Sequence, residues 1–366
     1  MPLYMDRHDS LDATAKAIAE AHQLDLNVQA KYRCKALTYW FDENKQIAFC
    51  LIEAPDKKAV EAMHKNSHGL VPNQIIEVQS NIVEYFLGRI SDPESTKNSE
   101  RFINETAYRT ILYFDCNCLV TNSKSGDSKV TGTRDIHNNL IRPALKEFDG
   151  LEVKIKNEGF MASFTSATKA INCAIKIQTS VKEINRKKKS SRIFTSIGLS
   201  TGYPVTGSDD LFGETVLLAK RLCEISSEGE IVLSNAVRNE YEEKQLKIGK
   251  GSFKIINPAD EKFLTLFMQI TEQVWNDEDF NVVDFSKKIG LSKAQLYRKV
   301  TALTGNSPNE FINNYRLSRA LKLIERKDGN ISEVAFETGF NNPSYFSKCF
   351  QKRFGILPSE YATSIL

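Results

Sequence analysis

Histidines concentrate near the start of the sequence, in a pattern that could bind a metal ion. Four of the five histidines fall within the first 68 of 366 residues. His64 and His68 are four residues apart and share one face of a predicted helix, and His22 and Asp25 are three apart on another. With the Cys50 thiol, they predict a site for nickel, zinc or cobalt. The alternative is that these are surface histidines used only for packing or dimerisation.

The elements that must position these residues follow from hydrophobic periodicity. The pattern predicts strands at 2–8, 36–41, 47–53 and 74–78 and helices at 13–28 and 57–67. The order βαββαβ is that of the ferredoxin-like fold, in the α+β class. Residues 1–80 also resemble a small bacterial family of nickel-binding proteins, through the segments LYMDRHD, FCLIEAPD and HKNSHGLVPNQIIEV. The resemblance implies that nickel or another divalent transition metal is the ligand.

A repeat lies near the other end of the sequence. GNSPNEF (305–311) and GILPSEY (355–361) share Gly, Pro, Glu and a terminal aromatic residue at an offset of 50 residues. Upstream of each copy, a short helix, a turn at Gly290 or Gly339 and a second helix are predicted. The inward residues of the second helices are Leu296 and Val300 in the first copy and Phe346, Phe350 and Phe354 in the second. Each copy therefore reads as a helix-turn-helix, in an all-α domain.

The outward residues of the two second helices are of types that contact base edges and phosphates. They are Ser292, Lys293, Gln295, Arg298 and Lys299 in the first copy and Asn342, Ser344, Tyr345, Lys348 and Lys352 in the second. From residue 285 onward there are 13 Lys or Arg against 6 Asp or Glu, which favours an anionic partner. A predicted helix of about 20 residues joins the copies, and its length of roughly 30 Å is close to one turn of DNA.

These features resemble the DNA-binding domain of the AraC/XylS family of bacterial transcription regulators. The match covers about the last 105 residues and includes Gly339, Phe340, Tyr345, Phe346, Phe350, Lys352, Phe354, Gly355, Pro358 and Tyr361. The resemblance implies sequence-specific binding to two successive major grooves of double-stranded DNA. The alternative is a helical bundle whose basic face is only solvated.

The middle of the chain alternates strands and helices in an α+β pattern. Residues 106–255 resemble the class III adenylate and guanylate cyclase homology domain. In that family two carboxylates hold two divalent metals beside ATP. Asp115 falls on the first of them, and Glu158, which follows Asn157 where the family has a Gly-Asp pair, falls near the second.

The same resemblance assigns three further residues to nucleotide binding. Lys154 and Asp210 match a pair that reads the adenine base, and Arg221 matches an arginine that stabilises phosphate charge. Leu217 stands where the family has an asparagine that orients the ribose, so the domain is degenerate. It could be an active cyclase that makes cyclic AMP with Mg²⁺, a nucleotide sensor or a dimerisation module.

Length and composition set the frame for these predictions. A chain of 366 residues exceeds the size of one domain, and we expect boundaries at 1–90, a linker at 91–105, and domains at 106–255 and 256–366. With seven cysteines at irregular spacing, no signal peptide pattern and no long apolar run, the sequence predicts a cytoplasmic protein with no membrane contact. We interpret it as a homodimeric transcription regulator controlled by a metal or a nucleotide. The competing interpretation is a nucleotide cyclase with an accessory DNA-binding domain.

Overall fold

The computed structural model describes residues 1–9, 11–93, 102–120, 137–154, 159–187, 191–241 and 253–364. The N-terminal domain is a four-stranded antiparallel sheet of strand order β2-β3-β1-β4, with two helices against one face. Its elements are β1 (Leu3–His8), α1 (Ala15–Val28), β2 (Lys35–Asp42), β3 (Ile47–Glu53), α2 (Lys57–Ser67), β4 (Gln74–Val78) and α3 (Ser80–Leu87). The predicted ferredoxin-like order is confirmed.

Strand β1 has both faces buried because this sheet is covered on both sides. Tyr4 packs with Val60 and Met63 of α2, whereas Leu3 and Met5 join a core shared with the middle domain. Successive side chains of a strand point to opposite faces, so the polar residues in LYMDRH are divided in the same way. The carboxylate and the histidine of this strand therefore lie on the face that α1 and α2 cover.

The middle domain is a six-stranded sheet of order β10-β9-β8-β5-β7-β6. Its elements are β5 (Arg109–Val120), α4 (Arg142–Glu147), β6 (Leu151–Val153), β7 (Phe160–Phe164), α5 (Ala167–Lys187), β8 (Ser191–Gly202), α6 (Gly213–Ile225), β9 (Ile231–Leu233), α7 (Asn235–Glu240) and β10 (Phe253–Ile255). The α+β prediction is confirmed. Strands β6-β7-β5-β8 repeat the order of the N-terminal sheet, and β9 and β10 extend it with parallel pairs.

The two faces of the middle sheet have different partners. Helices α4 and α5 cover one face, where Ala144, Leu145 and Ile171 belong to one core cluster. The other face packs against α6, α3 and the N-terminal sheet, and the tilted rings of Phe86 and Phe212 meet there at a centroid distance of 5.0 Å. The first two domains therefore share a continuous core.

The C-terminal domain consists entirely of helices, as predicted. They are α8 (Pro258–Val274), α9 (Val282–Ile289), α10 (Lys293–Thr304), α11 (Pro308–Arg326), α12 (Ile331–Glu337), α13 (Pro343–Phe354) and α14 (Pro358–Ser364). Helix α11 contributes to both helix-turn-helix cores, with Phe311 in the first and Leu321 in the second. In the first core α8 also meets Leu222 and Ile225 of α6, so this domain is docked on the middle domain. No helix in the described ranges has the length and apolar character needed to cross a membrane.

Candidate nucleic-acid interface and metal centre

Helix α10 is the second helix of the first helix-turn-helix. Gly290 ends α9 at φ 73°, a left-handed conformation that favours glycine, and α10 begins two residues later at its cap, Ser292. The Ser292 hydroxyl accepts from Gln295 N at 3.2 Å, and Gln295 Oε1 accepts from Ser292 N at 2.9 Å. Ser292 and Gln295, which the sequence assigned to DNA, therefore form a capping box that fixes the start of the helix.

The outer surface of α10 carries the first set of predicted contacts. Lys293, Arg298 and Lys299 are exposed, while Leu296 and Val300 are fully buried. The Lys299 ammonium lies 4.9 Å from the ring centroid of Phe263 on α8. Tyr297, which the sequence analysis did not single out, is 53% exposed on the same surface. Its position in the sequence, between the outward residues 295 and 298, could have predicted that Tyr297 is exposed on this surface.

Helix α13 has the same arrangement in the second helix-turn-helix. Asn342 Oδ1 accepts from Ser344 N at 2.9 Å and from Tyr345 N at 3.0 Å, so Asn342 caps the helix. Ser344, Tyr345, Lys348 and Lys352 are exposed. Phe346 and Phe350 are fully buried and Phe354 nearly so, all in the core formed with α11. The polar face of α13 is therefore presented outward by an aromatic core.

Helix α11 fixes the two recognition helices relative to each other. Its 19 residues begin at a capping box between Ser307 and Glu310. Burial lowers the pKa of the Arg316 guanidinium. Arg316 donates to Trp275 O at 2.5 Å and to Asp277 O at 2.7 Å. These bonds attach the middle of α11 to the end of α8. The two helix-turn-helix units are thus held on one buried helix.

The N-terminal domain gathers four potential metal ligands around β1. Asp6, His8, Cys50 and His64 each place a ligand atom within 4.8 Å of the others. His64 Nε2 lies 2.8 Å from Asp6 Oδ2, and His8 Nε2 lies 3.3 Å from Asp6 Oδ1. Cys50 is opposite Asp6 in the β1–β3 register, and its backbone N–H donates to Asp6 Oδ1 at 3.0 Å. His8 is one of the four clustered histidines but was not among the predicted ligands, and Asp6 was not predicted at all.

A second cluster shares His64 with the first. Asp25, His64 and His68 also place ligand atoms within 4.8 Å of one another. His64 Nδ1 is 3.1 Å and His68 Nε2 is 3.2 Å from Asp25 Oδ2, and the Ser67 hydroxyl donates to Asp25 Oδ1 at 2.6 Å. The imidazole of His64 therefore connects two carboxylates, with one ring nitrogen toward each. His22 instead has its Nε2 at 3.2 Å from Asp92 Oδ2.

The charges of the cluster are mutually dependent. Burial alone would raise the pKa of Asp6 and of Asp25, but the neighbouring histidines lower both below the ordinary aspartate value. Burial alone would lower the pKa of His64, but the charges and hydrogen bonds of Asp6 and Asp25 raise it. The two buried carboxylates thus favour the protonated form of His64.

The residues present fit a transition metal. His8 Nδ1 is buried and has no hydrogen-bond partner in the described part of the chain. His8 lines a small cavity of about 20 Å³, together with His22, Asp25, Cys50 and His68. Imidazole, carboxylate and thiolate are the donors that nickel, zinc and cobalt accept. Four of the five predicted ligands therefore belong to the two clusters, and His22 lies beside them.

The cyclase-like residues do not all lie together among the residues the structure describes. Arg221 of α6 has its Nη2 at 3.6 Å from Glu272 of α8, and Asp115 of β5 acts electrostatically on Arg353 of α13. Lys154 is exposed at the end of β6, and Asp210 is exposed just before α6. Glu158 lies outside the described residues. Because one of the two predicted carboxylate ligands is not among the described residues, the magnesium site stays a prediction.

Two family profiles match separate parts of the chain. Residues 4–78 match the family described as nickel responsive protein SCO4226-like, and residues 285–364 match a helix-turn-helix domain. Histidine kinase P4 from Formosa agariphila is 39% identical over 130 residues, which are 36% of this chain and 10% of that protein. The HTH-type transcriptional activator RhaS from Mannheimia succiniciproducens is 30% identical over 84 residues, or 23% of this chain and 31% of that one. The chain thus spans less than a third of the length of these two relatives.

Among solved structures, an adenylate/guanylate cyclase/hydrolase from Silicibacter pomeroyi is 29% identical. The match covers 39% of this chain and 82% of that one, with a TM-score of 0.31. Residues 4–78 of the chain are thus similar to the SCO4226-like family, and residues 285–364 are similar to a helix-turn-helix domain.

Proposed function

We propose that this protein is a sequence-specific, DNA-binding transcription regulator. The observation that carries the proposal is the pair of helix-turn-helix units whose exposed, polar helices α10 and α13 are held on the single helix α11. At 1.5 Å per residue, the 19 residues of α11 extend about 28 Å, close to the roughly 34 Å between successive major grooves on one side of DNA. The relative that is named a transcriptional activator supports the same function.

The basic side chains of the two recognition helices would contribute both affinity and specificity. Arg298 and Lys348 are exposed at equivalent places on α10 and α13. Arginine and lysine recognise guanine edges and also neutralise phosphates, so binding should fall steeply with salt concentration. The capping residues of these helices position their N-terminal backbone N–H groups, which can contact phosphate.

We further propose that the N-terminal clusters hold a divalent transition metal, with nickel as the first candidate because the matching family is described as nickel responsive. Asp6, His8, Cys50 and His64 would form one ligand set, and Asp25 and His68 would complete the second. A bound cation would supply the positive charge that the proton on His64 otherwise supplies.

Strand β1 offers a route from the metal centre to the rest of the chain. Arg7 lies between two of the proposed ligands, Asp6 and His8, and points to the opposite face of the sheet. Its Nη1 donates to Val205 O of the middle domain at 2.8 Å. A shift of β1 on metal binding would therefore move its contact with the middle domain. The middle domain packs against α8, which belongs to the core of the first helix-turn-helix.

A regulator of this kind would act in the bacterial cytoplasm, and a homodimer would double the number of grooves that it reads.

ATP with Mg²⁺ at the cyclase-like residues stays a prediction. Incubation of the protein with ATP and Mg²⁺ tests it, since formation of cyclic AMP that is lost in Asp115→Ala would favour the cyclase alternative.

The proposed function is tested by selecting bound sequences from a random duplex library and titrating the selected duplex in gel-shift assays. Arg298→Ala and Lys348→Ala should each weaken specific binding by about 1–3 kcal/mol. Lys262→Ala is the matched control, because Lys262 is exposed on α8 outside both recognition helices. If no sequence is enriched, or if the three variants bind alike, the proposal is wrong.

A further inference from the structure

A cleft of about 400 Å³ lies between the middle domain and the C-terminal domain. One wall consists of residues from β5, β8 and the end of α6, and the other of residues from α11 and the end of α13. Its volume is in the range of small-molecule sites in proteins. Neither the DNA interface nor the N-terminal metal centre uses this cleft, and of the cyclase-like residues it contains Asp115.

The charges in the cleft leave a surplus of cations. Glu224 of α6 has its Oε1 at 3.5 Å from Arg319 Nη2 of α11, and the charge of Asp115 acts on Arg353 of α13. Arg353 also donates to Asn314 O and, at 2.9 Å, to the Ser318 hydroxyl, so its guanidinium is already satisfied. Both arginines of the cleft thus have carboxylates that balance them.

Two lysines and one carboxylate, that of Glu228, remain after this pairing, which leaves a net surplus of one positive charge. Lys220 on α6 and Lys322 on α11 line the cleft from opposite domains and are half-buried. Both act electrostatically on Glu224, whose carboxylate Arg319 already holds, and within the described ranges neither lysine has an ion pair of its own. A third acidic residue, Glu228, is exposed. Two lysines that line one cavity from two sides suit an anionic group such as a phosphate.

The rest of the lining indicates what the anion is attached to. The rings of Tyr113, Phe311, Tyr315 and Phe354 line the cleft, and a planar ring could pack against the small part of each that is exposed. Glu224 Oε2 is buried and has no hydrogen-bond partner among the described residues, so it can accept a bond from a ligand hydroxyl or amino group.

We propose that this cleft binds a small phosphate-bearing molecule with a planar ring, held by Lys220 from the middle domain and Lys322 from the C-terminal domain. Because such a ligand contacts α6 and α11 together, its binding fixes the helix that carries both helix-turn-helix units against the middle domain. The site is separate from the proposed metal centre and does not require it.

The test is calorimetry on the full chain in metal-free buffer, with adenosine 5′-monophosphate as the probe, because it carries one phosphate and one planar ring. Lys220→Met and Lys322→Met should each weaken binding by roughly 10- to 100-fold, the usual effect of losing a charge-assisted hydrogen bond. Lys322→Arg should retain most of the affinity, and Lys262→Met, outside the cleft, should retain all of it.

Three results would overturn the proposal. The first is no heat with the wild-type chain at millimolar nucleotide. The second is equal affinity of the wild type and both methionine variants, provided that their circular dichroism spectra and melting temperatures match. The third is binding of inorganic phosphate as tight as that of the nucleotide, which would rule out the ring-binding part of the site.

Discussion

Replacing Gly339 with alanine tests how the turn of the second helix-turn-helix is held. Gly339 has φ 78°, a conformation that costs other residues roughly 1–2 kcal/mol. An added Cβ would also lie 3.0 Å from Arg316 Nε and 3.0 Å from the backbone of Asn276. Because Arg316 donates to Trp275 O and Asp277 O, this contact would push the guanidinium away from its acceptors.

Gly355 provides the matched control. It ends α13 at φ 77°, and an added Cβ there would meet nothing within 4 Å. Gly355→Ala should therefore lower the free energy of unfolding by the conformational strain alone, about 1–2 kcal/mol. Gly339→Ala adds the loss of a charge-assisted hydrogen bond, about 1.5–3 kcal/mol, for a total of roughly 2.5–5 kcal/mol.

Urea unfolding followed by tryptophan fluorescence measures the difference. The chain has two tryptophans, so Trp40→Phe in every variant leaves Trp275, next to the affected hydrogen bonds, as the reporter of the C-terminal domain. Equal destabilisation by Gly339→Ala and Gly355→Ala would refute the close approach of Arg316 to the turn.

Three further predictions concern the metal centre, the recognition surface and the interdomain contact. His64→Ala should abolish nickel binding measured by calorimetry, whereas His22→Ala should retain most of it; equal loss would show that the clusters are misassigned. Tyr297→Ala should weaken operator binding in gel shifts without lowering the melting temperature, and unchanged binding would remove this residue from the interface. Burial raises the pKa of Glu224 despite its cationic neighbours, so the folded state binds the proton of this carboxyl group more tightly than the unfolded state does. The contribution of Glu224 to the free energy of unfolding therefore falls as the pH rises through the raised pKa. The unfolding free energy of the wild type should thus fall relative to that of Glu224→Gln as the pH rises above the ordinary glutamate pKa of about 4.3, and a pH-independent difference would contradict the shift. The charged groups around this carboxylate are Arg319, Lys220, Lys322 and Glu272.

Local patterns predicted most of the fold. The period of the apolar residues and the glycines at the turns were enough for both helix-turn-helix units, because caps and turns are decided by neighbours in sequence. The same local rules account for Ser292, Gln295 and Asn342, whose side chains cap α10 and α13. A Ser-x-x-Gln pattern at a helix start is a capping signal, and it predicts Ser292 as the N-cap, as the structure has it.

The metal centre was only partly predictable. The helical spacing of His64 and His68 was visible, but Asp6 and His8 join them through the pairing of β1 with β3 and the packing of α2 on the sheet. The alternation of LYMDRH places Asp6 and His8 on one face, which was a usable signal. The residue that lies opposite Asp6 is set by the register between β1 and β3. The sequence of β1 alone does not specify that register.

The contact between the middle and C-terminal domains could not be predicted at all. It depends on apolar residues such as Leu222 and Ile225, which look like ordinary inward positions of α6. Their partners on α8 are more than 30 residues away along the chain, and no local rule pairs them. The cleft with Lys220 and Lys322 is a consequence of that docking.

The central claim is that one chain reads two successive major grooves through α10 and α13 on a rigid connecting helix. Hydroxyl-radical footprinting on the selected duplex tests it directly, together with a second duplex in which about five base pairs, half a helical turn, are inserted between the two protected segments. We predict two protected segments about one turn apart on one side of the DNA, and loss of one of them on insertion. A single protected segment, or two that tolerate the insertion, would contradict the account.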